Sequence, residues 1–225
     1  MNIEPIAFFE SPFSSKFGVP RQSGLVAELP GRVVLTGHYR DSEALRGLEE
    51  YDYLWLIWGF SEHIHAQKHA TVRPPILGGN ERRGVWATRS PFRPNNLGLS
   101  SVRIQQVDSA ACVIEVLGAD LIDGTPIYDI KPYLPYVDSH IDVRGGITDS
   151  HSWQRLRVVM DDAVTERLSV DERQLLEQVL ALDPRPHYHD DAERLYGMPF
   201  GRWEVRFQVG DGVLRVVNIN EKSDK

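Results

Sequence analysis

Four loops hold most of the residues in this chain that could do chemistry: Lys16-Phe-Gly-Val-Pro-Arg-Gln-Ser-Gly24, Arg73-Pro-Pro-Ile-Leu-Gly-Gly-Asn80, Ala87-Thr-Arg-Ser-Pro-Phe-Arg-Pro-Asn95 and Asp120-Leu-Ile-Asp-Gly-Thr-Pro126. Each combines arginine, lysine or aspartate with proline, and three of the four with glycine as well, residues that stiffen a turn or let backbone amides approach a ligand at little ordering cost. Other constellations are weaker. His63, His65 and His69, and again His187 and His189 beside Asp190 and Asp191, have spacings that zinc ligands use, but no His-Glu-x-x-His string accompanies them. No metal site is expected, and a metal-dependent hydrolase built on His63, His65 and His69 is kept as an alternative. Gly79-Asn-Glu-Arg-Arg-Gly84 has P-loop glycine spacing, yet Val85 and Trp86 stand where lysine and a hydroxyl must hold phosphate and magnesium. Neither the glycine-rich turn of a dinucleotide site nor a Gly-x-Ser-x-Gly elbow occurs. The one cysteine, Cys112, lies among Ala111, Val113 and Ile114 without a basic neighbour and reads as a buried structural thiol.

Charge sharpens this reading. The 225 residues carry a net charge of −7, which excludes coating of nucleic acid by global basicity. Between positions 73 and 103, however, six arginines (73, 82, 83, 89, 93 and 103) face the single acid Glu81, so a local basic surface can coexist with the acidic total. The longest strongly apolar run, Leu54 to Phe60, is strand-sized and far short of the roughly 20 residues of a membrane span. The N-terminal stretch carries Glu4 early and has no basic region followed by an apolar one, so a cytoplasmic protein without membrane partners is expected.

Elements that must position the loops are mostly strands. Strand signals cover Ile3 to Phe9, Val33 to Leu35, Tyr53 to Trp58, Gly84 to Thr88, Leu99 to Val107, Ala111 to Leu117 and Thr125 to Ile130, at spacings suited to a compact barrel. One short helix is expected over Ser42 to Leu48, capped by Asp41 or Ser42 and ended by Gly47. Beyond about residue 140 the pattern changes to a strand over Trp153 to Met160, a helix over Asp171 to Leu182 capped by Ser169, and a hairpin pairing Trp203 to Val209 with Val213 to Ile219 across Gly210-Asp-Gly212. The chain is thus expected to hold a mainly β unit over 1–140 and a small α+β unit over 141–225.

Longer strings carry a resemblance. Phe17-Gly-Val-Pro-Arg-Gln-Ser-Gly-Leu25, Val72-Arg-Pro-Pro-Ile-Leu-Gly-Gly-Asn80, Trp86-Ala-Thr-Arg-Ser-Pro-Phe-Arg-Pro-Asn95, Leu121-Ile-Asp-Gly-Thr-Pro-Ile-Tyr-Asp-Ile-Lys-Pro-Tyr133 and Asp183-Pro-Arg-Pro-His-Tyr188 resemble, in order, the motifs of the TrmO or TsaA-like (YaeB) family. The resemblance implies an antiparallel β-barrel methyltransferase that uses S-adenosylmethionine to methylate N6 of threonylcarbamoyladenosine at position 37 of tRNA. It implies a homodimer with the cofactor near the subunit interface, and it points to Arg21, Gln22, Ser61, Glu62, Arg89, Leu99, Leu117, Gly118, Ala119 and Asp120 as cofactor residues. Asp183, Arg185, Tyr188 and Arg93 are the implied catalytic residues.

Two positions depart from the family pattern: Ser61-Glu62 where relatives often carry His-Gln, and Asn96 where proline is common, which is expected to loosen the loop after Pro94. Methyl transfer needs collinear alignment above all, so shape outranks acid and base. Asp123 and Asp129 are the candidates for accepting the substrate proton. Arg89, Arg93 and Arg185 are those for gripping the threonyl carboxylate. Phe92, Tyr136 and Tyr188 are those for stacking an extruded base. A non-catalytic RNA-binding barrel is the second alternative.

Overall fold

The computed structural model describes residues 3–63, 67, 69–151, 154–185 and 191–222. Eight strands come first: β1 (Ala7–Glu10), β2 (Pro30–Leu35), β3 (Tyr53–Gly59), β4 (Thr71–Val72), β5 (Arg83–Gly84), β6 (Leu97–Asp108), β7 (Val113–Leu117) and β8 (Thr125–Pro132). Six of them close an antiparallel barrel in the order β1-β2-β7-β6-β3-β8, with β8 returning to β1. Strands β4 and β5 form a separate ribbon. Alternation along each strand fills the barrel: Phe9, Val33, Leu54, Leu56, Val102, Ile114 and Val116 are buried in one core. A barrel this narrow is packed solid by its own side chains, so a ligand site must lie at a mouth.

The rest of the chain forms α1 (Pro135–Asp138), α2 (Ile147–Ser150), β9 (Arg157–Val159), α3 (Asp162–Thr165), α4 (Val170–Ala181), β10 (Tyr196–Phe200), β11 (Trp203–Gly210) and β12 (Val213–Glu221). A sheet in the order β10-β11-β12-β9 takes α4 on one face, where Leu176, Val179 and Leu180 are fully buried. The expected cap of α4 is present as a reciprocal pair, Ser169 accepting from the Glu172 amide and Glu172 accepting from the Ser169 amide. Asp211 and Gly212, at φ 51° and 73°, make the expected hairpin turn between β11 and β12. Phe13, Val26 and Leu29, which precede β2, pack into this second core rather than the barrel's.

Mainly β content, the antiparallel barrel and the small C-terminal sheet unit all hold. Two local expectations do not. Positions 84–88 are not a strand: after the two-residue β5 the chain turns as a 3-10 helix over Val85–Ala87, closed by the Thr88 hydroxyl donating to Val85 O at 2.9 Å. Hydroxyl-to-backbone bonding of this kind competes with a ladder. The helix expected over 42–48 is instead two 3-10 turns, Ser42–Leu45 and Leu48–Glu50, because Gly47 takes φ 84° between them; Asp41 does cap the first. Of the strand expected over 153–160 only β9 forms, and Trp153 lies outside the described residues.

Candidate active site at one barrel mouth

Strand register brings three connections to the same mouth. Glu10 opposes Arg32, Pro30 opposes Leu117, Leu97 opposes Gly59, and Thr125 opposes Phe9. Residues 11–29, 60–96 and 118–124 therefore leave and re-enter the barrel on one side. These connections contain all four of the stiff loops. Gly118, at φ 80°, locks two of them together: its N–H donates to Leu29 O and its carbonyl accepts from Gly24 N–H, both at 2.8 Å.

Asp120 lies on the third of these connections, just after β7. Its Oδ1 accepts from the Ser100 hydroxyl at 2.5 Å, and Ser100 Oγ accepts the Trp58 indole N–H at 2.9 Å. Burial pushes the Asp120 carboxyl above the ordinary aspartate range, against the opposing effects of Ser100, its own amide, the Arg89 guanidinium and the Ser23 amide. Arg89 is in turn held by Gln22, whose Oε1 accepts from Arg89 Nη1 and whose Nε2 donates to Arg21 O at 2.5 Å. Gln22, Arg89 and Asp120, from three different connections, thus form one polar set. Burial lowers the Arg21 guanidinium below its ordinary value, with Asp183 opposing that shift. Its side chain faces the C-terminal unit, donating to Leu182 O at 2.5 Å and Asp183 O at 2.6 Å.

The other expected cofactor residues divide. Leu117, Gly118 and Ala119 are buried and shape the turn that carries Asp120. Ser61 lines an open cleft of about 230 Å³ with Gly59, Phe60, Asn95, Leu97 and Tyr128, while Glu62 beside it is exposed. The cleft and the Asp120 set are joined through Trp58, whose ring meets Phe60 edge-on at 4.4 Å. Leu99 is not joined to them: it points outward from β6, 53% exposed and opposite Ile57, while its neighbour Ser100 points in.

Of the expected catalytic residues, Asp183 and Arg185 form a half-buried fork, Arg185 Nε and Nη2 donating to the two carboxylate oxygens at 2.9 and 3.1 Å. Asp183 adopts φ 53° as the helix ends, so Arg21 clamps the backbone of a turn already in an uncommon conformation. Tyr188, like His65, His187 and His189, lies outside the described residues. Arg93 folds its own loop, donating to Thr88 O at 3.0 Å and Ser90 O at 3.3 Å and lying over Trp86. Asn96 corrects the expectation of a loose loop: at φ 50°, which proline cannot adopt, it donates through Nδ2 to Pro91 O and accepts the Phe60 amide.

Neither proposed proton acceptor is unengaged. Asp123 accepts the Ser11 amide at 3.0 Å, and Asp129 pairs with Lys131 at 2.9 Å. Tyr136 is exposed on α1, and Phe92 is half-buried against His69. Among the described residues no three His, Cys, Asp or Glu side chains are grouped to hold a metal ion. Ser100 and Trp58 carried no signal in the sequence, because both look like ordinary strand residues.

A family model described as the tRNA-methyltransferase O N-terminal domain matches residues 8–139, and the TrmO C-terminal domain matches residues 154–222. The chain belongs to the TrmO family. It is 37% identical over 223 residues to the Escherichia coli tRNA (adenine(37)-N6)-methyltransferase, covering 95% of each chain. Another relative, from Pseudomonas aeruginosa and provisionally named an S-adenosylmethionine-dependent methyltransferase, is 38% identical over 204 residues, 88% of this chain and 87% of its own. A crystal structure of TrmO from Pseudomonas aeruginosa superposes with a TM-score of 0.80 at 32% identity, covering 99% of this chain and 97% of that one. The missing dinucleotide fingerprint is explained by the TrmO barrel itself, which has no strand-to-helix crossover to carry one.

Proposed function

We propose that this protein methylates N6 of threonylcarbamoyladenosine at position 37 of tRNA in the cytoplasm, taking the methyl group from S-adenosylmethionine. The single observation that carries the reading is the convergence of Gln22, Arg89 and Asp120 at one barrel mouth in a chain of the TrmO family. The donor set suits the cofactor. A carboxylate matches ammonium or ribose hydroxyl donors and a guanidinium matches a carboxylate, so Asp120 and Arg89 together fit a ligand with a zwitterionic amino-acid end. Bound there, S-adenosylmethionine supplies an electrophilic methyl group on a sulfonium.

The chain's own residues then align and hold. Arg185, fixed by Asp183, is the residue proposed to grip the threonyl carboxylate, and Tyr188 follows it in the same sequence motif. Arg73, Arg82 and Arg83, on the 60–96 connection, supply cations beside the mouth for tRNA phosphates, with Arg82 bonded to Thr71 and Arg83 to Glu81. A homodimer completes the site in this reading: Leu99 faces away from its own Asp120, so a cofactor contact from Leu99 reaches the pocket of a second copy. No helix among the described residues is long and apolar enough to cross a membrane.

Transfer of labelled methyl from S-adenosylmethionine onto tRNA with and without the threonylcarbamoyl group tests the reading. Methylation that requires the group supports it, and equal or absent incorporation into both tRNAs rejects it. Sedimentation at micromolar concentration tests the dimer, which a fully active monomer would exclude.

A further inference from the structure

We propose that Ser100 is a positioning residue of the cofactor pocket, its hydroxyl relaying the Trp58 indole N–H onto Asp120 and fixing that carboxylate toward Arg89. The inference rests on the reading that Asp120 belongs to the pocket. Its geometry is independent of that reading.

Ser100 is 1% exposed on the inner face of β6, where Val102, two positions along, is an ordinary apolar core residue. Placing a hydroxyl there forgoes apolar burial, so the bonds it makes must account for it. Their direction is forced. An indole N–H only donates, an ionised carboxylate only accepts, and the hydroxyl between them has a single proton. Accepting from Trp58 at 2.9 Å leaves that proton for Asp120 at 2.5 Å. The start of the relay is fixed by packing: a Cβ on Gly98 would fall 2.3 Å from the Trp58 ring, so only glycine lets the indole lie flat on β6 with its N–H aimed at Ser100.

A relay serving stability alone would be expected to end on a neutral acceptor, since a largely buried carboxylate resists ionisation. The groups facing Asp120 are the Ser100 hydroxyl from β6, the Arg89 guanidinium from the 60–96 connection, the Ser23 amide from the 11–29 connection and its own amide. Among these the Ser100 hydroxyl opposes the effect of burial most strongly. Removing it therefore favours the protonated carboxyl, and any function of the ionised form fails at a higher pH.

The test is S-adenosylmethionine affinity by calorimetry as a function of pH, with the melting temperature as the check on folding, for Ser100→Ala, Trp58→Phe and Asp120→Asn. Ser100→Ala should weaken binding roughly tenfold or more near neutral pH, the loss of one hydrogen bond to a charged group. It should also move the acidic limb of the affinity profile to higher pH. Trp58→Phe, which keeps a ring but removes the donor, should move the limb the same way by less. If Ser100→Ala keeps the parent affinity and acidic limb while Asp120→Asn loses binding, Ser100 positions nothing and the assignment is overturned. Should Ser100→Ala fail to fold, Trp58→Phe is judged by the same criterion. Asp120→Asn binding like the parent removes Asp120 from the pocket and overturns both statements.

Discussion

Two carboxylates anchor the two halves of the molecule, and their environments act in opposite directions. Glu172, at the start of α4, is pushed up by partial burial but receives the Ser169 amide, the Trp203 indole N–H, the Ser169 hydroxyl and the Arg202 guanidinium, which together pull it down to about 2. Arg202 also lies over the Trp203 ring at 4.6 Å, so one acid ties helix α4 to strand β11. Asp120 has fewer donors and is dominated by burial, which pushes it up. The ionised Glu172 stabilises the fold, whereas the ionised Asp120 destabilises it. A charge held against stability is the kind of environment found at functional sites, which fits the binding role proposed for Asp120.

The sharpest way to break this contrast is Asp120→Asn. It should lower S-adenosylmethionine affinity on the order of a hundredfold, the upper range for a charge-assisted contact. Because the raised Asp120 contributes stability in full below its ordinary value and loses it as pH rises through its raised value, ionisation costs stability as pH rises, and the variant should melt at or above the parent temperature at neutral pH. A lower melting temperature with intact affinity would give Asp120 the role assigned to Glu172.

Arg185→Ala comes next. Losing its proposed grip on the substrate should reduce tRNA methylation roughly tenfold to a hundredfold, with melting within a few degrees of the parent. Steady-state methylation beside a thermal melt checks both, and unchanged turnover would return the Asp183–Arg185 fork to a purely structural role.

Glu172→Gln should act only on stability, by about 1–3 kcal/mol at pH 7, since it weakens a helix cap and the Trp203 bond together. The depressed group contributes stability above its ordinary value, and that contribution is lost as pH falls from about 4.5 to about 2. Urea unfolding of parent and variant should therefore converge near pH 2, and a constant gap across the range would show that the charge is irrelevant.

The smallest effect is expected from Arg103→Gln. Its Nη2 donates to both carboxylate oxygens of Glu28, at 2.8 and 2.7 Å, in an exposed pair, and such pairs contribute about 0–1 kcal/mol. A melting shift beyond about 4 °C would contradict that.

Much of the molecule was legible in the sequence. Apolar alternation located most of the barrel strands, the Ser169 cap and apolar periodicity located α4, and Asp211-Gly212 located the last hairpin. Legibility failed where a side chain redirected its own backbone, as Thr88 does for Val85, or where one residue's φ decided an outcome, as at Asn96; the break at Gly47 was foreseen, but not that the turn before it would be 3-10. Within the site, turn chemistry marked the stiff loops, and the family resemblance picked Gln22, Arg89 and Asp120 out of them. Ser100 and Trp58 did not, since a serine in a strand reads alike on either face.

The sequence by itself determined which segments are strands, that the last two pair as a hairpin, which loops are stiff, where the basic residues concentrate and which family the motifs resemble, because these follow from local periodicity, turn chemistry and residue type. Only the tertiary structure decided that three connections share one mouth, that Ser100 faces inward while Leu99 faces out, and that Arg21 reaches the end of α4, 161 positions away. Each of these depends on barrel closure and strand register, where a slip of one residue would turn every side chain to the other face, and no local propensity encodes that choice.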